Sequence, residues 1–143
     1  MFGSYVYSQA KARDLDLLVV VERLNDIHEK SELELGIKRA LRDVSRFKPI
    51  DVVVLDLEML RENMKPGTML SGLVCGYKVL YDEIGLPTLV EDLVKALALE
   101  DVVLIKRGRR LSISAHARAK LLNRKVGSSE SPLNTAALHF LET

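Results

Sequence analysis

Three carboxylates and a Gly-Ser pair are the residues of this 143-residue chain whose types and spacing suit chemistry. Asp14 and Asp16 open the run DLDLLVVVE at residues 14–22. Side chains two apart on a strand share a face, so both acids project together while Leu15 points away. Behind them Leu17, Leu18, Val19, Val20 and Val21 are apolar on both faces, which suits a strand buried in a sheet. Paired carboxylates are hard oxygen ligands for Mg²⁺ (or Mn²⁺), an ion that keeps several waters and is usually completed by substrate phosphates. Gly3 and Ser4 supply bare backbone N–H groups and a hydroxyl, the chemistry that cradles phosphate. A third acid, Asp51, heads a second apolar strand in KPIDVVVLDLE, residues 48–58. Placed on a neighbouring strand, Asp51 would face the first pair. Three carboxylates around two metals suit in-line displacement at phosphorus, one ion activating the attacking oxygen and the other steadying the leaving pyrophosphate.

In this combination Gly3-Ser4, Asp14-x-Asp16 and Asp51 resemble the minimal nucleotidyltransferase domain of the DNA polymerase beta superfamily. The segment CGYKVLYD, residues 75–82, is similar to that family's helix ending in a Gly-x-x-Leu-Tyr pattern, so the resemblance spans residues 2–82. It implies a nucleotidyltransferase-like mixed β-sheet with flanking helices. It also implies transfer of a nucleoside monophosphate from an NTP, ATP by preference, to an acceptor hydroxyl. Gly3 and Ser4 would hold the β- and γ-phosphates, and Asp14 and Asp16 would bind both Mg²⁺ ions. Asp51 would complete one metal site and draw the acceptor's proton. Minimal members are often paired with a small helical partner protein, and some act as antitoxins by adding AMP to it. A protein tyrosine is then the acceptor, with small molecules such as aminoglycosides the alternative. Tyr5, Tyr7 and Ser8 stand where the family has a basic residue and a glycine, and Arg13 stands where a polar residue precedes the first Asp. The family pattern also has a helix and most of a strand before Gly-Ser. Either the start at Met1 is truncated, or the site lacks part of its floor.

Bulk composition is that of an ordinary globular chain, 48% hydrophobic and 29% charged, with length enough for one cored domain. No apolar run approaches the roughly 18 residues of a membrane span, and no secretory leader is legible. Cys75 is the single cysteine, so no internal disulfide forms; a cytoplasmic location is the expectation. Charge is unevenly spread: residues 1–100 hold 13 Lys and Arg against 17 Asp and Glu, residues 101–143 hold 8 against 3. The expected division is therefore a nucleotidyltransferase-like core over 1–100 and a basic C-terminal appendage over 101–143.

Ser31-x-x-Glu34 reads as a capping box opening a helix with Leu33, Ile37, Leu41 and Val44 on one face, ended by Pro49. A short helix is expected over 58–61. Another is expected from Leu70 to Tyr81, with Gly72 and Gly76 allowing close backbone packing. Thr88-x-x-Glu91 reads as a second capping box, opening a helix with Leu89, Leu93 and Leu97 on one side. Residues 102–114 predict a hairpin around Lys106, Arg107, Gly108, Arg109 and Arg110, followed by a basic helix over 115–123. A linker at 127–132 and a terminal helix over 133–141 complete the series.

Weaker signals take bland readings. His28, His116 and His139 share no zinc-ligand spacing, and Cys75 reads as a small buried hydrophobe. Glu22, Asp56 and Glu58 read as solvated loop acids. Tyr77 and Tyr81 read as packing residues of one helix. The cluster around Gly108 reads as a solvated tip, so nucleic acid is not an expected partner and neither is a membrane. Beside the transferase stand two other readings: a catalytically inactive protein that keeps the fold to hold a partner, and an RNA-binding accessory module that uses the basic C-terminal segment. A homo-oligomer stays open as an assembly.

Overall fold

The two apolar runs behind the acids become strands β1 (Leu15–Val21) and β2 (Ile50–Asp56), which pair in parallel with Leu15 opposite Ile50 and Val21 opposite Asp56. A parallel pair needs a crossover, and helices α2 (Ile27–Ala40) and α3 (Arg42–Ser45) supply it, after the short α1 (Ser4–Tyr7) at the start. Then come α4 (Leu57–Asn63), a 3-10 helix (Met69–Cys75), α5 (Leu86–Ala98), the hairpin β3 (Val103–Lys106) with β4 (Arg109–Ser112), and α6 (Ile113–Gly127). The computed structural model describes residues 1–7, 10–106 and 108–127. The architecture is α/β. Among the described residues no helix is long and apolar enough to cross a membrane.

Alternation along the strands sends side chains to two cores. On one face Val53 and Leu55 of β2, with Leu18 and Val20 of β1, meet Leu73, Leu93 and Leu97. Opposite, Ile50, Val52 and Val54 meet Leu24, with Ile37 and Leu41 of the crossover packed against them. Each fully buried Leu contributes about 1.5–3 kcal/mol, so the first cluster carries most of the stability. Ile113 and Ala117 of α6 are buried in that same cluster, and Arg118 donates to the carbonyls of Ala98 and Glu100 at 3.0 and 2.6 Å. Residues 113–127 are thereby joined to the core.

Several local expectations are corrected. Helix α2 begins a turn before Ser31: Asp26 is its N-cap, accepting from the Glu29 amide at 2.8 Å, while Glu29 accepts from the Asn25 amide at 2.7 Å. Leu33 and Val44 stay exposed, so the apolar face narrows to Ile37 and Leu41. Helix α5 begins at Leu86, with Gly85 as a left-handed N-cap and the Asp82 carboxylate accepting from the Leu86 amide at 3.0 Å. Thr88 lies inside the first turn. The helix expected from Leu70 to Tyr81 stops at Cys75, because Gly76 takes φ 148°. A Cβ on Gly72 would meet nothing within 4 Å, so no close packing depends on that glycine. Tyr77 forms a β-bridge instead of a helical turn, and Leu80 and Tyr81 are exposed. Residues 75–82 therefore do not form the helix the resemblance implied. Asp56 is buried and not solvated: its carboxylate accepts from the Leu24 amide at 3.3 Å and from the Met59 amide at 2.8 Å, capping α4. The hairpin forms with Gly108 at φ 72°, and α6 runs longer than its expected bounds. Arg107 and the linker and terminal helix beyond Gly127 lie outside the described residues.

The outer edge of β2 is closed by charge. Glu34 of α2 accepts from the Val54 amide at 3.0 Å and pairs with Lys30. Burial would raise the Glu34 pKa, but the Lys30 and Val54 hydrogen bonds and the charges of Lys30 and Lys38 outweigh it and hold it below the usual range. A depressed carboxyl adds stability that is present above its unfolded value and lost as pH falls through the folded one. Glu34→Gln is therefore expected to lower unfolding free energy by about 1 kcal/mol at neutral pH. The gap should narrow in acid, as pH falls from neutral through the lowered folded value. Urea midpoints at neutral and acid pH check this; a gap that persists in acid overturns it.

Candidate functional site

The start of the chain lies across the head of β1. Phe2 donates its amide to the Asp16 carbonyl at 3.0 Å and bridges Tyr77 on its other side. This places Gly3 against the Asp16 side chain. A Cβ on Gly3 would lie 2.1 Å from Asp16 Oδ2, and Gly3 takes φ 79°, so only glycine suits both the backbone and the approach. Ser4 follows as the first residue of α1 and is half-buried.

Parallel pairing brings the heads of both strands together, and the register sets Asp16 directly opposite Asp51. Partners in register share a sheet face, here the face that carries Leu18, Val20, Val53 and Leu55. The register thus sets the Asp51 backbone beside that of Asp16, while Asp14 lies outside the paired strand. Asp14 precedes β1 and is half-buried. The structure thus brings together Gly3, Asp16 and Asp51, with Ser4 beside Gly3 in the chain and Asp14 two residues ahead of Asp16. Among the described residues no group of three or more His, Cys, Asp or Glu is placed to hold a metal ion.

Two lysines at this end of the sheet escaped the sequence reading. Lys38 reaches from α2 to Asp51, Nζ to Oδ1 3.7 Å, with both side chains about half exposed. Lys48 donates to the Ala12 carbonyl at 2.6 Å and stands over the Tyr5 ring, 4.9 Å from its centroid. It ties the segment between α1 and β1 to the head of β2. The signal for Lys48 was its place three residues before Asp51; Lys38 carried none, because its reach depends on the crossover packing.

An exposed ion pair is worth about 0–1 kcal/mol, so Lys38 neutralises Asp51 without locking it. Lys38→Ala is expected to change unfolding free energy by less than about 0.5 kcal/mol. Divalent-cation affinity in the presence of a nucleotide should rise by a factor of about 2–5, the carboxylate having lost its competitor. Titration of Mn²⁺ by electron paramagnetic resonance, with ATP present, reads the change.

Arg109 and Arg110 are exposed, as a solvated tip requires. Cys75 is half-buried against the larger core, and burial pushes its thiol pKa up, which suits an inert side chain. No family model, no curated protein and no solved structure matches the chain.

Proposed function

We propose that this chain is a nucleotidyltransferase-like domain that transfers a nucleoside monophosphate from an NTP to an acceptor hydroxyl. The observation carrying the proposal is the meeting of Gly3, Asp16 and Asp51: a bare backbone turn pressed on one carboxylate, with a second carboxylate in register beside it.

Two acids on neighbouring strands fit Mg²⁺ as it is usually held, by one or two carboxylates with the remaining ligands from water and phosphate. Asp16 and Asp51 would hold the ion, with Asp14 the third candidate. The ion would supply charge neutralisation on the phosphates and at the leaving pyrophosphate. The chain's own groups would do the rest. The Gly3 amide and the Ser4 hydroxyl would donate to the β- and γ-phosphate oxygens. Gly3, having no side chain, leaves the room beside the turn that the Asp16 carboxylate takes. Asp51, exposed at the strand head, would accept the acceptor's hydroxyl proton once a nucleotide displaces Lys38 from it. An antitoxin-like adenylyltransferase acting on a small helical partner is the form of this activity that the sequence resemblance favours.

One observation favours a second reading. Lys38 already pairs with Asp51, and a site at rest in this state suits a catalytically inactive domain that holds a partner. Calorimetric titration of ATP with and without Mg²⁺, followed by transfer of label from α-³²P-ATP to candidate acceptors, separates the two. Mg²⁺-dependent binding with label transfer supports the transferase. Absence of Mg²⁺-dependent nucleotide binding refutes it and leaves the inactive reading.

A further inference from the structure

The connection from α2 through α3 to β2 is a run of cations. Residues 38–48 hold Lys38, Arg39, Arg42, Arg46 and Lys48 against a single acid, Asp43. The Leu41 amide donates to the Ile37 carbonyl at 3.0 Å and the Ser45 amide to the Leu41 carbonyl at 2.9 Å, so the helical path continues from α2 into α3. Along that path Ile37 and Leu41 face the core, and Arg39, Arg42 and Arg46 follow the opposite side at spacings of three and four, all exposed. Arg39 and Arg46 stand seven residues apart, about 10.5 Å along the helix axis, which leaves room for successive phosphates. Asp43 pairs with Arg46 at 3.4 Å, but both side chains are exposed, and such a pair yields readily to a stronger anion.

Phe47 follows Arg46 and is 91% exposed, the most exposed large hydrophobic side chain among the described residues. Val44, also exposed, lies one turn earlier, and the Phe47 amide donates to its carbonyl at 3.2 Å. A ring this open buries almost no surface and contributes little to folding. Lys48, on its other side in the chain, is committed to the Ala12 carbonyl and the Tyr5 ring, which anchors the segment behind Phe47. An aromatic face beside a row of cations is the combination that binds single-stranded nucleic acid, the ring stacking on a base while the cations follow the backbone. The cations around Gly108 lack it, since residues 101–127 contain no Phe, Tyr or Trp. Val44 and Phe47 are too few to seat a helix in a membrane surface. An acidic protein segment would satisfy the arginines but need not bring a partner for the ring, whereas every nucleotide carries a phosphate and a π-face together.

We infer that residues 38–48 bind a single-stranded nucleic acid, Phe47 stacking on one base while Arg39, Arg42 and Arg46 hold phosphates beside it. Arginine suits the task because its planar fork donates two parallel hydrogen bonds to a phosphate. A duplex is the poorer ligand, since its bases are stacked on one another and offer Phe47 no face. With no built hydrogen-bonding readout of base edges, the surface tolerates sequence. Lys38 opens the run and pairs with Asp51, so a bound strand would pass close to the heads of β1 and β2. The surface itself does not depend on the nucleotidyl-transfer reading and holds for a chain that transfers nothing.

The test uses the full chain with fluorescein-labelled dodecamers of deoxythymidylate and of uridylate, a DNA duplex of the same length, decaglutamate, and phosphatidylglycerol vesicles. Fluorescence anisotropy is expected to show saturable micromolar binding of the single strands at about 50 mM salt, and at least fivefold weaker binding of the duplex. With three phosphate contacts, log K should fall against log salt with a slope of about −2. Phe47→Ala should weaken binding about tenfold while leaving that slope and the urea midpoint unchanged, because the ring holds no phosphate and is almost wholly exposed. Arg39→Ala with Arg42→Ala should flatten the slope by about 1.4. Binding of either dodecamer with this Phe47 dependence supports the inference, and the tighter of the two states whether DNA or RNA is the ligand. Absence of saturable binding of both dodecamers at about 0.1 mM protein overturns it. So does a Phe47→Ala chain that binds like the wild type, or Phe47-dependent binding of decaglutamate or vesicles as tight as that of the dodecamers. Loss of binding on Arg109→Ala with Arg110→Ala, and not on the Arg39 and Arg42 substitutions, would move the contact to the hairpin and overturn it equally.

Discussion

Gly3→Ala is expected to cost about 3 kcal/mol of unfolding free energy, within a plausible range of 2–4. Two terms add. An L side chain at φ 79° sits in the left-handed region, which costs about 1–2 kcal/mol. The new methyl would also lie 2.1 Å from Asp16 Oδ2 and 3.1 Å from its Cγ, so the carboxylate or the Phe2 bridge must move. Asp16 is short, and its own Cβ is only 3.4 Å away, so rotating the carboxylate relieves the contact incompletely. Removing the obstacle separates the terms. In the Asp16→Ala background Gly3→Ala should cost less, with a coupling of about 1 kcal/mol or more in a double-mutant cycle measured by urea unfolding. Strict additivity of the two substitutions would show that the close approach has no energetic consequence. Nucleotide binding offers a second readout, since a methyl here would displace the Asp16 carboxylate proposed to hold the ion.

The acids and the turn were legible for a simple reason: each sits at the head of an apolar run, and apolar runs of five residues between polar boundaries announce strands. The register was not. Asp16 meets Asp51 because the crossover through α2 and α3 returns the chain at Ile50 opposite Leu15, and nothing local to either strand states that offset. Asp56 was misread because its two partners are amides, one on the loop at Leu24 and one at Met59, and amides leave no mark in a sequence. The start of α2 is written in the sequence one turn before Ser31. Asp26-Ile27-His28-Glu29 carries the same capping pattern as Ser31-x-x-Glu34 one turn earlier, and Glu34 was needed elsewhere, at the Val54 amide. Gly76 marks the remaining error. Expected as half of a small-residue pair inside a helix, it is the residue that ends one, and the chain beyond it crosses to the Phe2 bridge.

Replacing Asp14 and Asp16 together by Asn is expected to abolish nucleotide-dependent Mg²⁺ or Mn²⁺ binding while leaving the fold nearly intact. Asn keeps the shape and an oxygen but loses the charge, and a hard dication held by so few protein ligands depends on that charge. Asp16 is half-buried beside Gly3, so neutralising it removes no apolar contact. The unfolding midpoint should therefore shift by less than about 1 kcal/mol equivalent. Asp51→Asn should separate binding from chemistry. If Asp51 takes the acceptor's proton, label transfer should fall by a factor of about 10²–10⁴, the usual weight of a general base. ATP·Mg²⁺ affinity should weaken far less, because Asp16 remains. Lys38 supplies the internal control: with Asp51 neutral its ion pair is gone, so adding Lys38→Ala should change nothing further. Unchanged metal binding in the Asp14/Asp16 double variant, measured by calorimetry with ATP present, would remove these residues from the site and the transferase reading with them.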